Sequence, residues 1–145
     1  MKLAFALSAA LAALAVSGGA AAQTPVGLWK TIDDSTGKEK SYVRITESNG
    51  VVTGKVEKIL DPSKADQKCD ECSDDRKGKP VVGMTIIRNV KKQDGNWGGG
   101  DILDPNNGKV YSVRITPSSD NKKLDVKGYI GAPILGRTQT WLRLE

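Results

Sequence analysis

A chain of 145 residues has room for one domain, and its formal charge of +5 comes from 22 basic and 17 acidic residues. It contains no histidine, which excludes Ser-His-Asp and Cys-His catalysis and histidine-based zinc sites. The lysines, among them Lys38, Lys55, Lys77, Lys91 and Lys122, are scattered rather than interleaved with aromatics. That is the pattern of solvated strand faces, not of a nucleic-acid surface.

Met1-Lys2, the apolar run Leu3 to Val16, Ser17-Gly18-Gly19 and Ala20-Ala21-Ala22 have the layout of a secretory signal cut after Ala22. The alternative, a membrane anchor, needs roughly 20 apolar residues and a charged flank, and this run is too short. No cysteine follows the small residues, so a lipid anchor is not expected. The sequence therefore predicts a leader over 1–22 and a single domain over 23–145, without a membrane span, in the periplasm or the medium. Trp29, Trp97 and Trp141 must fill much of its core.

Val26 to Ile32 alternates and is rich in β-formers, which predicts a first strand. Asp33-Asp34-Ser35-Thr36-Gly37 is a turn cluster. Ser41 to Thr46 alternates, with Val43 and Ile45 on one face. Asn49-Gly50 is a hairpin signal, and Val51 to Leu60 is a strand with Val52 and Val56 on one face. The rhythm breaks from Asp61 to Pro80, the longest irregular stretch and hence a candidate functional loop.

Strand character returns over Val81 to Val90, turns at Asp94-Gly95, and resumes at Trp97 to Leu103, where Gly98-Gly99-Gly100 predicts a bulge. Asp104 to Gly108 is a turn. Val110 to Thr116 groups Tyr111, Val113 and Ile115. After Asp120-Asn121, the next strand groups Leu124, Val126, Gly128 and Ile130. Arg137 to Leu144 is the last strand, with Arg137, Gln139, Trp141 and Arg143 on one face and Thr138, Thr140, Leu142 and Leu144 on the other. Alternation alone does not say which face is interior.

About eight strands, mostly short turns and no helical period predict an all-β, antiparallel up-and-down barrel. Closure requires the Trp29 strand to pair with the last strand, which removes both sheet edges. A two-sheet sandwich is the competing arrangement, but its crossings need longer connections than the single long loop provides.

Cys69 and Cys72 are the only cysteines. In an exported protein two cysteines normally pair. Metal binding would lack half of a Cys₄ set. A redox dithiol is disfavoured by Asp70, Glu71, Asp74 and Asp75, which would raise the thiol pKa. Asp101 and Asp104, three apart at a strand end, point to opposite faces, and Asp104 before Pro105 reads as a turn-capping acid. No catalytic constellation, metal site or cofactor motif emerges.

Gly27-Leu28-Trp29-Lys30-Thr31, the Cys-x-x-Cys loop, Lys77-Gly78-Lys79-Pro80, Ile102-Leu103-Asp104-Pro105 with Gly108-Lys109-Val110-Tyr111, and Gly128-Tyr129-Ile130-Gly131 with Gly136 to Trp141 resemble an exported bacterial family, domain of unknown function 2147. The resemblance spans nearly all of the chain after the leader. It implies class and export, not a mechanism. A weaker resemblance is to lipocalins and other calycins, whose first strand carries Gly-x-Trp and whose last strand brings a basic residue over that Trp. Here Gly27-Leu28-Trp29 fits, and Arg137 or Arg143 could stack on the ring.

The functional expectation is a non-enzymatic barrel that binds a small apolar molecule. Its candidate contacts are Trp29, Val43, Val52, Val56, Met84, Tyr111, Val113, Val126 and Trp141, with Arg137 or Gln139 as polar anchor. The second expectation is an envelope interaction or stress-adaptation protein whose barrel is packed and whose 61–80 loop makes the contacts.

Overall fold

A computed structural model describes residues 22–145; the leader assigned to 1–22 lies, but for Ala22, outside the described residues. Eight antiparallel strands close into a barrel in sequence order. They are β1 (Gly27–Ile32), β2 (Glu39–Ser48), β3 (Val51–Ile59), β4 (Thr85–Gln93), β5 (Asn96–Leu103), β6 (Val110–Pro117), β7 (Lys123–Tyr129) and β8 (Arg137–Arg143).

The strands form where apolar residues alternate. In β6, Val113, Ile115 and Pro117 are buried while Ser112, Arg114 and Thr116 between them are exposed. Closure is direct: Trp29 lies opposite Arg143 and Lys30 opposite Leu142, and the Leu144 N–H donates to the Leu28 carbonyl at 2.8 Å. The sheet therefore has no free edge.

Turn chemistry sets the hairpins. Asn49 and Gly50 both take positive φ, 52° and 78°, as a two-residue hairpin requires. Two longer turns share one design, Asp33 to Lys38 and Asp104 to Lys109. In each the aspartate carboxylate accepts an N–H two residues on, at 2.9 Å. The main-chain N–H of Gly37 or Gly108 also donates to the aspartate carbonyl at 2.8 Å. Asp104 is thus the turn acid that its position before Pro105 predicts. The three glycines of β5 bend the strand, with a register shift against β6 between Trp97 and Gly100.

The expected strand over Val81 to Val90 begins only at Thr85. Val81 to Met84 form a turn instead, because Gly83 adopts φ 88°. This turn still holds β3: Gly83 N–H donates to the Val56 carbonyl (2.7 Å) and Val56 N–H to the Met84 carbonyl (2.9 Å).

The 61–80 stretch, read from sequence as irregular, is folded. Pro62–Lys64 makes one 3-10 turn capped by Asp61. The chain then doubles back through a Lys68–Pro80 bridge, and Cys69 and Cys72 form a disulfide. Arg76, only 4% exposed, is gripped by the Asp74 carboxylate and donates to the Thr85 carbonyl at 2.9 Å. The folded loop docks on the β5–β6 turn through a Gln67 to Asn106 hydrogen bond (3.2 Å) and van der Waals contact of the disulfide-bonded Cys69 Sγ with the Pro105 carbonyl (3.6 Å).

This turn and loop chemistry makes stability acid-sensitive. Hydrogen bonds from Ser35 and Thr36 hold the Asp33 carboxyl well below its usual pKa. Bonds from Arg76 lower Asp74 to about 2, and Ser63, Arg88 and Ser118 lower Asp61, Asp75 and Asp120. A group that binds its proton more weakly when folded stabilises the fold above its unfolded pKa and stops doing so as pH falls through its folded pKa. Thermal melts should therefore show a plateau near neutral pH and a steep fall between 3.8 and about 2. A melting temperature unchanged across that interval would contradict this assignment.

Candidate functional site

The two ends of the barrel differ. The connections 49–50, 94–95 and 118–122 lie at one end together with the start of β1 and the end of β8, and 33–38, 60–84, 104–109 and 130–136 lie at the other.

The first end is sealed. The Arg143 guanidinium lies 4.2 Å over the Trp29 ring and donates to the carbonyls of Asn121, Val26, Thr24 and Glu145 at 2.5–3.1 Å. Burial lowers its pKa. Trp29 Nε1 in turn donates to the Pro25 carbonyl at 2.8 Å. Of the two arginines considered for the tryptophan, Arg143 takes the position.

Arg137 is at the opposite end. Its side chain is 75% exposed and paired with Asp34 across 2.6 Å, so it stands on the rim and joins the β1–β2 turn to β8.

The other expected contacts divide by depth. Trp29, Val43, Val52 and Val113 have no accessible surface, so no water-sized void touches them: they are packed core. Val56, Val126 and Trp141 are 2–3% exposed and belong to the same core. The Trp141 face of β8 is therefore the interior face. Met84 is buried on the turn before β4 and borders a cleft outside the barrel.

Above this floor the inward positions become half-buried: Ser41, Ile59, Ile102, Tyr111, Gly128 and Gln139. Strand pairing places them around one mouth. Thr31 faces Ser41 and Ser41 faces Ile59. Ile102 faces Tyr111. A Cβ at Gly128 would stand 3.5–3.7 Å from Tyr111 and Ile102 side-chain atoms. Gln139 pairs with Val126, one step from Gly128.

The walls are apolar with a few polar groups. Thr31 and Ser41 hydroxyls bond each other at 2.7 Å. Gln139 accepts from Trp141 Nε1 at 3.0 Å, which leaves its amide NH₂ without a partner among the described residues. The Tyr111 hydroxyl accepts from Asn107 at 3.3 Å and keeps its proton to donate. Gly128 has no side chain of its own, and Tyr111 and Ile102 pack over its backbone. Ser41, Ile59 and Ile102 are missing from the sequence-derived contacts, although the alternation that marked Val43 extends to Ser41.

A second feature is a cleft of about 720 Å³ outside the barrel, lined by Glu57, Lys58, Ile59, Lys68, Pro80 and Val82 among others.

Residues 27–143 match a family described as an uncharacterized protein conserved in bacteria, DUF2147. The chain belongs to that family. This DUF2147 barrel is also similar to a solved structure, the protein HP1028 of Helicobacter pylori, described as belonging to the lipocalin family. The two are 25% identical, with a TM-score of 0.73 over 85% of this chain and 84% of that one. The shared architecture is an all-β, eight-stranded antiparallel barrel of lipocalin type. No curated protein matches the chain. The disulfide of the DUF2147 barrel is consistent with an oxidising compartment. No helix among its described residues is long and apolar enough to cross a membrane.

Proposed function

We propose that the protein is an exported, non-enzymatic barrel that binds a small, largely apolar molecule with one polar head group at its open end. The observation that carries this reading is the change along the barrel axis. A floor of residues with no accessible surface gives way to a half-buried ring that carries the Gln139 amide, whose NH₂ has no protein acceptor among the described residues, and the Tyr111 hydroxyl. Barrels of eight strands have an interior that is either filled or holds one small ligand. Here the filled lower half limits the ligand to the upper part. Similarity to a lipocalin-family protein supports small-molecule binding, and the disulfide supports export.

Anilinonaphthalene sulfonate, an apolar probe with an anionic head, tests this by fluorescence titration. Gln139→Glu keeps the acceptor for Trp141 and removes the amide donors. It should weaken binding roughly tenfold, as should Tyr111→Ala. Titrations of both variants that overlay the parent would refute the site.

The cleft of about 720 Å³ supports the second reading, in which the 61–80 loop, with Val82 beside it, holds a partner against β3. Lys68→Glu and Val82→Ser should then abolish capture of that partner and leave probe binding at the mouth intact.

A further inference from the structure

The β7–β8 connection, residues 130–136, carries three of the most exposed aliphatic side chains described: Ile130 (68%), Ile134 (85%) and Leu135 (78%). This display is held in shape. Pro133–Leu135 forms a 3-10 turn, with Leu135 N–H donating to the Ala132 carbonyl and Gly136 N–H to the Pro133 carbonyl, both at 3.1 Å. Gly136 sits against the Gly128 carbonyl and the Lys127 side chain. The side chains therefore project because the backbone fixes them outward.

Behind this knob, on the outer face of the barrel, Arg114 and Lys127 lie directly opposite each other on β6 and β7. Neither has an ion pair among the described residues. The nearest carboxylate on that face of β7, Asp125, accepts from Thr140 at 3.0 Å. Like charges opposed across two strands destabilise the free protein, and a negative surface placed over them relieves that cost. The other cation near the knob, Arg137, is already paired with Asp34.

We propose that this patch seats the barrel on an anionic lipid surface, with Ile130, Ile134 and Leu135 entering the acyl boundary and Arg114 and Lys127 against the head groups. The shape selects a bilayer over a folded partner: a projecting aliphatic knob with cations set behind it matches an interface that is apolar in depth and negative at its surface. The rest of the chain is permissive, since its charge without Lys2 is +4. The knob belongs to the open end, so docking would bring the mouth to head-group level. The inference goes beyond ligand binding and holds with or without a ligand.

The test is co-sedimentation of the chain from Gln23 to Glu145, which contains the whole barrel, with vesicles of phosphatidylcholine alone or mixed with phosphatidylglycerol. The protein should partition onto the mixed vesicles, and less so as salt is raised. Ile134→Ser with Leu135→Ser should lower that partition roughly tenfold. Arg114→Gln and Lys127→Gln should each lower it about fivefold. All four side chains point outward, so the variants should melt like the parent. No partition onto anionic vesicles overturns the proposal, as does partition that both sets of variants leave unchanged, including a case where the patch captures a protein instead. Probe binding at the mouth, measured without vesicles, is read separately and distinguishes failure of this inference from failure of the ligand site.

Discussion

Trp29→Ala should destabilise the barrel by about 3–5 kcal/mol, and Arg143→Ala by about 2–4 kcal/mol. Trp29 has no accessible surface, so its removal leaves a cavity that the closed sheet cannot collapse around. Arg143 acts on the same joint from the last strand. Its guanidinium covers the indole and ties together the carbonyls of Thr24, Val26 and Asn121, that is, the segment leading into β1 and the β6–β7 turn. Arg143→Lys should recover only part of the loss, because an ammonium cannot stack as a plane and bond three carbonyls at once. Chemical denaturation of the two single variants and the double gives the coupling, expected at roughly 1–2 kcal/mol. Strict additivity would mean that the stack contributes nothing beyond packing.

Gly108→Ala is expected to cost about 2–4 kcal/mol, with the loss centred on the disulfide loop. Gly108 adopts φ 71°, and a Cβ there would stand 2.0 Å from the Glu71 carbonyl oxygen and 2.3 Å from its carbon. Both neighbours are backbone of the Cys69–Cys72 turn, so no rotamer change relieves the clash and the loop must lift off the β5–β6 turn. Amide hydrogen exchange should show protection lost at Cys69, Gly78 and Val81, whose N–H groups close the loop on itself, while the Trp29–Arg143 end stays protected. Unchanged exchange in the loop would show that the contact is not what orders it.

The barrel was legible because its information is local. Alternation in β2, β3 and β6, the Asn49-Gly50 hairpin and the aspartate-led turns each state their geometry within a few residues. Pairing of Trp29 with the last strand followed from the need to remove edges. The Val81 to Met84 segment was misread because Val81 and Val82 are β-branched, whereas the left-handed Gly83 decides the backbone. The order of the 61–80 loop was invisible because it comes from long-range contacts, Arg76 to Thr85 and Gln67 to Asn106, that no sequence window contains. The interior face of β8 was undecidable because both faces mix polar and apolar residues. Packing chose the one with Trp141, since only that ring fills the space opposite Leu124. Trp29, Val43, Val52 and Val113 are packed with no accessible surface, which alternation does not reveal: it reports which way a residue faces, not whether its neighbours have already filled the space.

The central claim is that the barrel is solid below and receptive at the mouth. Amide and side-chain NMR spectra of the ¹⁵N-labelled chain, titrated with anilinonaphthalene sulfonate, test it most directly. Shifts should concentrate at Ser41, Ile102, Tyr111, Gly128 and Gln139, with the Trp29 indole resonance unmoved. Shifts confined to the Glu57–Lys68 cleft, or a spectrum that the probe does not perturb, would contradict it.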